Sequence, residues 1–256
     1  MSEPRVIGWV SGGAASAVAC KLAIAKYGDR VQLAYKDTGS EDPDTLRFLR
    51  DVERWLGAPI TFLRSTKYTD TWDVWERNRF LRSPAGAKCT SVLKVQVGRE
   101  FQRPGDIQIW GFTTDEAKRA GRFTERFCGE MTPEYPLIDQ GLSKEDCFAM
   151  VTRAGMVLPK PYLLGFDNNN CIPCVKATGA RYWNRVRRHY PEQFARMAEL
   201  ERRFNFPLVQ IQRDGVRRGV FLDQLDPEAG ADDDTPEPIA CGIACHIAEQ
   251  KLEDAA

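Results

Sequence analysis

The sequence predicts an α/β protein whose mostly parallel sheet is covered by helices on both faces. Short apolar segments alternate with helical segments along the first half of the chain, which is the pattern of strands joined through helices. The first apolar segment runs directly into a glycine turn and then into a helix rich in small residues. With 256 residues, the chain is long enough for one large domain with a smaller appendage.

The elements of the predicted sheet follow one another in a regular order. We expect strands at residues 6–10, 31–35, 60–63 and 107–112, each of them a short apolar run. A helix over residues 42–56 carries an apolar stripe at helical spacing and ends at Gly57. Parallel strands joined in this way have right-handed crossovers.

The composition of the chain changes after about Asp139. Ser143 is expected to cap a helix with acidic residues in its first turn, residues 158–174 form a loop, and two further helices follow. Beyond Leu225 the chain is rich in Asp, Pro, Glu and Gly, a composition that does not fold alone. We therefore divide the chain into an α/β core (1–140), a helical cysteine-bearing region packed on the core (141–225) and a flexible acidic tail (226–256).

The charge balance and the hydropathy of the chain narrow the classes of protein to which it can belong. The 36 Lys and Arg residues balance the 36 Asp and Glu residues, so no overall basic field indicates nucleic acid, although basic side chains cluster between Arg181 and His189. No apolar run reaches the roughly 18 residues of a transmembrane helix, and the first residues lack the apolar core of a signal peptide. We therefore expect a cytoplasmic protein with no membrane partner, in which reducing conditions disfavour disulfides.

The turn after the first strand has the composition of an anion-binding loop. Ser11, Gly12, Gly13 and Ser16 stand between the strand and the helix. Glycines let backbone N–H groups approach an anion closely, serine hydroxyls add donors, and the helix N-terminus adds a favourable partial charge. An ordinary β–α turn has a similar composition, and neither a Walker lysine nor a GxGxxG fingerprint is present.

Several motifs follow one another in a fixed order along the chain. The loop Ser-Gly-Gly-x-x-Ser is the first of them. The others are, in order, Asp37-Thr38-Gly39, Lys88 to Lys94, Gly111 to Arg122, Tyr135-Pro136-Leu137, Pro161-Tyr162-x-x-Gly165 and Cys171-Ile172-Pro173-Cys174. Together they resemble the phosphoadenosine phosphosulfate (PAPS) reductase family of the PP-loop adenine nucleotide α-hydrolase-like superfamily. The resemblance covers about residues 5–205 and implies a Rossmann-like fold of the PP-loop type.

This resemblance implies a site for an adenine nucleotide such as ATP, adenylyl sulfate (APS) or PAPS. The nucleotide-binding residues that it implies are Ser11, Gly12, Gly13, Ser16, Asp37, Thr38, Gly39, Lys94, Gly111, Glu116, Arg119 and Arg122. The Lys and Arg side chains among them would clamp anionic groups. The chain departs from the family at two points: Ala14-Ala15 replaces the Lys-Asp of the ATP-cleaving members, and Lys88 replaces one cysteine of the Cys-Cys pair in cluster-bearing APS reductases.

Eight cysteines need an explanation in a reducing compartment. Cys20 and Cys147 lie within helical patterns, and we expect them to be buried and inert. Cys128 stands in an expected loop beside a glycine and is a spare candidate ligand. Two pairs of cysteines, Cys171 with Cys174 and Cys241 with Cys245, occur in CxxC and CxxxC spacing among turn residues, a pattern that favours metal binding or redox chemistry.

Three of these cysteines are our candidate ligands for a metal cofactor. Cys171 and Cys174 form a CxxC, and Cys89 joins them through the family resemblance. Soft thiolates select iron–sulfur clusters or zinc, so we expect a 4Fe-4S cluster, with zinc as the alternative. The fourth ligand would be Cys241 or Cys245, or one iron would stay open for sulfide or substrate. Inert thiols, or a disulfide-exchanging CxxC, are the competing interpretation.

The tail contains a second cysteine motif. Cys241-Gly242-Ile243 resembles the start of the Cys-Gly-Leu-His segment that carries the nucleophile of sulfonucleotide reductases, although Ala244 and Cys245 separate it here from His246. By this resemblance Cys241 and Cys245 are the catalytic candidates: a thiolate attacks sulfur, and a thioredoxin-like thiol donor releases the product. A disordered end with two unrelated thiols is the alternative.

Three functions remain open at this stage. The first, favoured by Cys241 and by the absence of a loop aspartate, is a thiol-dependent reductase that converts APS or PAPS to sulfite. The second is an iron–sulfur-dependent transferase that inserts sulfur into a nucleotide or nucleic acid after adenylation, with nucleic acid as its partner. The third, permitted by Ala14-Ala15, is a non-catalytic nucleotide or cluster sensor. We also expect a homo-oligomer.

Overall fold

The structure, a computed structural model, describes residues 3–213 and 215–230 and confirms the predicted α/β class. Five parallel strands form the main sheet: β1 (Val6–Val10), β2 (Val31–Lys36), β3 (Ile60–Leu63), β4 (Ile107–Ile109) and β5 (Thr132–Glu134). The strands lie in the order β3-β2-β1-β4-β5. The chain therefore builds the sheet outward from β1 in one direction and then in the other, which places a topological switch point between β1 and β4.

Helices connect these strands and cover both faces of the sheet. In chain order they are α1 (Ala14–Tyr27), α2 (Asp44–Leu56), α3 (Thr71–Asn78), a π-helix (Thr90–Val95), α4 (Gln96–Phe101), α5 (Ala117–Arg126), α6 (Pro136–Asp139), α7 (Lys144–Arg153), α8 (Lys160–Leu163), α9 (Ala180–His189) and α10 (Pro191–Phe204). An antiparallel hairpin of β6 (Val209–Arg213) and β7 (Val216–Val220) follows α10. None of the helices in the described part of the chain has the length and apolar composition needed to cross a membrane.

Local signals place most of these elements correctly. Ser143 caps α7 as expected, because its hydroxyl accepts the N–H of Asp146 at 3.1 Å. β4 is shorter than predicted and ends at Ile109, after which the chain leaves the sheet towards a 3₁₀ turn at Thr114–Glu116. The expected loop over residues 158–174 contains α8, a single turn that is too short to show helical periodicity.

The two largest of the four hydrophobic clusters among the described residues form the main cores of the fold. The first lies between the sheet and helices α1, α2 and α7, and it contains Cys20 and Cys147, both buried as expected. Burial raises the pKa of the Cys20 thiol to about 12, so this thiol stays protonated and unreactive. The second core surrounds Trp75 and Trp183 and joins α3, α9 and α10 to the hairpin. The domain boundaries predicted from composition stay predictions, although α7, beyond residue 140, packs in the sheet core.

Candidate functional site

The glycine loop lies at the carboxyl end of β1, where a parallel sheet presents its ligand-binding crevice. Gly12 has a φ of +79°, a conformation that favours glycine, and Gly13 is the N-cap of α1. The hydroxyl of Ser16 accepts the N–H of Ser11 at 2.9 Å and donates to the carbonyl of Gly13 at 2.8 Å. Ser16 therefore braces the loop from inside.

The N-terminus of α1 has no side-chain cap and no acidic residue in its first turn that would compete with an anion. The first N–H groups of a helix lack partners within the helix, and the helix dipole adds positive partial charge there. A phosphate or sulfate group would be bound favourably at this position.

Gly111 brings the end of β4 against the start of α1. A Cβ atom added to Gly111 would lie 2.7 Å from the backbone nitrogen of Ser16. Only glycine allows this approach, since real Cβ atoms do not come so close to backbone. Gly111 thus sets the width of the crevice at the switch point, which is a positioning role for a residue predicted to bind nucleotide.

The loop is also held from the opposite side by buried polar side chains. The Nδ2 atom of Asn169 donates to the carbonyl of Gly12 at 2.7 Å and lies 3.0 Å from the hydroxyl oxygen of Thr45. The hydroxyl of Tyr162 would be 2.8 Å from a Cβ atom added to Gly13. Burial, aided by the nearby charges of Cys147 and Glu116, raises the pKa of Tyr162 to about 12, so its hydroxyl stays neutral.

The Asp37-Thr38-Gly39 turn lies at the carboxyl end of β2. Asp37 accepts the N–H of Gly39 at 2.9 Å and a hydrogen bond from Nε of Arg64 at 2.7 Å. Gly39 has a φ of +68°, and a Cβ atom on it would lie 2.5 Å from the carbonyl oxygen of Thr69. In this structure the carboxylate of Asp37 shapes the turn, and nucleotide binding by these residues stays a prediction.

Cys89 lies 82 positions before Cys171 in the sequence, and it lines one cavity together with Cys171, Cys174 and Lys94. The cavity has an empty volume of about 390 Å³, including the space at its open mouth. The residue before the π-helix and the CxxC segment supply the thiols, so the structure brings together the cysteines that the sequence singles out.

Each cysteine is positioned by backbone structure. Cys89 directly precedes the π-helix, a wide helical turn that is frequent at functional sites. Cys171 forms an antiparallel bridge with Glu41, and the N–H of Cys174 donates to the hydroxyl of Tyr182 at 2.6 Å. The peptide bond between Ile172 and Pro173 is cis.

The thiols and the charged side chains around them alter one another's pKa values. Burial raises the pKa of Cys171 to about 12, although the positive charge of Lys94 opposes this. Burial also raises the pKa of Cys89, and the neighbouring indole of Trp75 partly offsets it. For Lys94, burial lowers the pKa, but the negative charges of Cys171, Glu41 and the other two thiols outweigh burial and raise it. Lys94 is therefore a cation of the thiol cavity, which Lys176 also lines.

The donor chemistry of the cavity fits a soft metal or an iron–sulfur cluster. Three thiols line the cavity, and the buried indole N–H of Trp75 is directed at the Cys89 sulfur, where it lowers the pKa of that thiol. In residues 3–213 and 215–230, however, no three His, Cys, Asp or Glu side chains are arranged to hold a metal ion. The cofactor therefore stays a proposal.

The remaining residues that the sequence predicts for the site do not line the thiol cavity. Glu116 forms an ion pair with Arg119, whose guanidinium lies 5.0 Å from the ring centroid of Phe112. Arg122 is exposed and forms no ion pair within the described part of the chain. Cys128 is exposed and does not line the thiol cavity.

The two tail cysteines, Cys241 and Cys245, lie outside the described residues.

Several residues of the site have no signal in the sequence that could have found them. Asn169 is part of a run of three asparagines that indicates only a loop, and Glu41 looks like an ordinary surface carboxylate. Trp75 and Tyr182 belong to apolar stripes of helices. Each enters the site through a contact between distant segments, which local patterns do not encode.

Comparisons with known proteins give one kind of match. No protein-family model and no curated protein matches the sequence. Among solved structures, the PAPS reductase of Candida auris in complex with phosphate matches with a TM-score of 0.48 and 15% identity, over 66% of this chain and 82% of that chain. At this similarity the match carries no conclusion about the substrate or activity of this chain.

Proposed function

We propose that the chain is a PAPS reductase-like enzyme that binds an adenine nucleotide on the loop of residues 11–16 and performs sulfur chemistry beside it. One observation carries the proposal. A single segment joins the loop to the thiol cavity, because Asn169 holds the carbonyl of Gly12 while Cys171 and Cys174 line the cavity. A nucleotide phosphate on the loop and a reactive sulfur at the thiols would thus be neighbours at one edge of the sheet.

Different groups of the chain would bind different anionic groups of the nucleotide. The N–H groups at the start of α1 would bind phosphate. The hydroxyl of the exposed Ser11 donates to the Ser16 hydroxyl at 3.0 Å in this structure and would have to rotate to reach the anion. Lys94, half-buried between the thiols and Glu41, would face a sulfonate or phosphate oxygen that enters the cavity. Arg119 and Arg122 lie on α5, beyond Gly111, as candidate outer clamps for the anion.

Cys89, Cys171 and Cys174 would hold a 4Fe-4S cluster, with Cys241 or Cys245 as the fourth ligand. When bound, such a cluster would supply electrostatic stabilisation or an iron site for sulfur at this position. Zinc on the same thiols is the alternative cofactor.

The reaction that we propose is reduction of APS or PAPS to sulfite. The Cys241 thiolate attacks the sulfonate sulfur, a sulfur–sulfur bond forms, and the bond from sulfur to the phosphate oxygen breaks so that the nucleotide leaves. A dithiol of the thioredoxin type then attacks the Cys241 sulfur and releases sulfite. The second thiol of the donor frees Cys241, so two donor thiols are oxidised to a disulfide while sulfur gains two electrons.

A second candidate is transfer of sulfur to a nucleotide or nucleic acid. The observation that favours it is that three thiols of the described residues, Cys89, Cys171 and Cys174, line one cavity. A three-thiol site leaves one position open for a sulfur atom in transit.

Release of sulfite tests the two candidates against each other. The purified chain is incubated with APS or PAPS and a thioredoxin-like dithiol, and sulfite and nucleotide are quantified. We expect sulfite from one of the two substrates, and loss of it in Cys171→Ser but not in the exposed-thiol control Cys128→Ser. Nucleotide binding without sulfite would reject the reductase. Salt-dependent binding of nucleic acid would then support the transferase.

A further inference from the structure

Asn169 links the phosphate loop to the thiol cavity through one short stretch of chain. It is buried, whereas both of its asparagine neighbours, Asn168 and Asn170, are exposed. Its Nδ2 atom donates to the carbonyl of Gly12 at 2.7 Å. Two residues later, the sulfur of Cys171 lies 3.0 Å from the hydroxyl oxygen of Thr38. The side chain on the loop and the thiol in the cavity are therefore parts of one segment.

This segment is fixed to the end of β2 and cannot move freely. Cys171 bridges Glu41 in antiparallel fashion, and the N–H of Ile172 donates to the carbonyl of Ser40 at 2.8 Å. The sulfur of Cys171 also lies 3.6 Å from the carboxylate of Glu41. Since the backbone is held on both sides of Cys171, a shift at Asn169 is passed to the thiol and its partners rather than absorbed by a flexible loop.

The peptide unit that Asn169 holds is the one that an anion on the loop would contact. The Gly12 carbonyl and the Gly13 N–H belong to the same planar trans peptide, so they point in opposite directions. An anion that accepts the Gly13 N–H polarises this peptide. An anion bound to the Gly13 N–H would thereby strengthen the hydrogen bond of Asn169 on the opposite side of the same peptide unit.

We propose that Asn169 is a positioning residue that couples occupancy of the phosphate loop to the accessibility of Cys171. This inference rests on the proposed function, in that an adenine nucleotide must bind the loop. Coupling between two sites is reciprocal, so nucleotide fixes the Cys171 segment and a modified Cys171 weakens nucleotide binding. Asn169 acts through the carbonyl of Gly12 and is not among the residues that line the thiol cavity.

Alkylation of individual thiols measures the coupling directly. The purified protein, freed by a chelator of any metal on its thiols and checked by iron and zinc analysis, is treated with iodoacetamide with and without saturating ATP. Modification of each cysteine is followed by mass spectrometry. We expect ATP to slow alkylation of Cys171 by at least about fivefold, the lower end of typical allosteric coupling. Cys128, exposed and outside the cavity, is the internal reference and should react at the same rate in both samples.

Variants separate coupling from simple shielding by the nucleotide. In Asn169→Ala, ATP should still bind by calorimetry, but the ratio of Cys171 alkylation rates should fall to about one. Asn168→Ala, an exposed neighbour of the same type, should keep the wild-type ratio. If Asn169→Ala does not fold, Thr45→Val tests the same link, because it removes the hydroxyl that contacts the Asn169 amide at 3.0 Å.

The outcomes distinguish this inference from the proposed function. A wild-type ratio in Asn169→Ala or Thr45→Val means that ATP merely covers the thiol, and it overturns the coupling while leaving nucleotide binding intact. If ATP binds to the wild type and does not change the alkylation rate of Cys171, the coupling is also overturned. Absence of adenine nucleotide binding to the wild type overturns both proposals.

Discussion

The hydroxyl oxygen of Thr38 lies 3.0 Å from the sulfur of Cys171, although 133 positions separate the two residues in the sequence. The contact joins the turn after β2 to the CxxC segment and leaves Thr38 almost fully buried. Because a buried polar group that loses its partner is costly, the pair holds the thiol in one orientation. The turn that the sequence assigns to nucleotide binding is therefore also part of the thiol cavity.

Replacing Thr38 tests this dual role. Thr38→Val keeps the shape of the side chain but leaves Cys171 without its hydroxyl partner, so we expect the free energy of unfolding to fall by about 1 kcal/mol. Turnover of sulfonucleotide should fall as well, while Thr38→Ser should keep most of both properties. Urea unfolding and the sulfite assay measure them. Equal stability of the Val and Ser variants would show that the contact contributes nothing.

Gly111→Ala should damage the phosphate loop without touching any charged group. The new Cβ would meet the backbone of Ser16 at 2.7 Å, and backbone cannot swing away as a flexible side chain does. We expect a loss of about 1–3 kcal/mol in stability, typical of overpacking, together with weaker nucleotide binding. Thermal unfolding with and without ATP reports both effects.

Gly121→Ala is the matched control for this substitution. Gly121 lies within α5, and a Cβ atom there would meet nothing within 4 Å. Alanine is the better helix former by up to about 1 kcal/mol, so this variant should be as stable as the wild type or more stable. Loss of nucleotide binding in Gly121→Ala would show that the assay responds to α5 as a whole rather than to the crevice.

How much of this molecule local sequence patterns reveal depends on how far apart the interacting residues are. β1, the glycine loop and α1 follow one another within residues 6–27, so their periodicity and turn chemistry are visible directly. β5 has only three residues, one of them Pro133, and carries too few alternating positions to be recognised. The hairpin of β6 and β7 is equally hard to predict from the sequence, since exposed arginines in β7 replace the apolar residues of a typical strand.

The same limit applies to the site. Cys171 and Cys174 are visible as a CxxC, whereas the inclusion of Cys89 depends on a family resemblance and not on spacing. Asn169 could not have been predicted, because its partner Gly12 is 157 positions away and an asparagine run ordinarily indicates only a turn. Buried polar contacts between distant loops arise from the complete fold, and the sequence expresses them only as isolated polar residues.

Glu201 should make the stability of the second core depend on pH. Its two carboxylate oxygens accept the N–H groups of Leu208, at 3.0 Å, and of Leu222, and burial raises its pKa from 4.5 to about 7. Because the folded state binds this proton more tightly than the unfolded chain does, the stabilisation is complete below about pH 4.5 and is lost as the pH rises through 7.

A comparison with Glu201→Gln isolates this contribution. Glutamine does not titrate, so the wild-type free energy of unfolding should fall relative to the variant between about pH 4.5 and pH 7. The size of the fall is bounded by about 1.4 kcal/mol for each unit of pKa shift. Urea unfolding over this range gives both curves, and parallel curves would show that Glu201 does not titrate between these values.

Cofactor content should follow the thiols of the cavity. We expect protein purified without oxygen to be brown and to contain iron, and Cys174→Ser to lose most of the colour and iron because a soft ligand is replaced by a hydroxyl. Cys128→Ser, which changes an exposed thiol outside the cavity, should retain both. A colourless protein with stoichiometric zinc would contradict the cluster and support a structural metal site.

The role of the tail can be decided by separating chemistry from cofactor binding. If Cys241 is the nucleophile, Cys241→Ser should abolish sulfite release while nucleotide affinity and the visible spectrum stay unchanged, because only the attacking thiolate is lost. If Cys241 is the fourth ligand, the same substitution should bleach the spectrum, and activity should fall only in proportion to the iron that is lost.

Cys245→Ser is the matched control, since these two cysteines stand in one short motif and only one of them is expected to carry either role. Activity and spectrum are measured on both single variants and on the double variant. If both properties survive in the double variant, neither thiol acts in the reaction or binds the cofactor. The sulfur chemistry would then have to reside on Cys89, Cys171 and Cys174 alone, which is the arrangement that favours sulfur transfer over reduction.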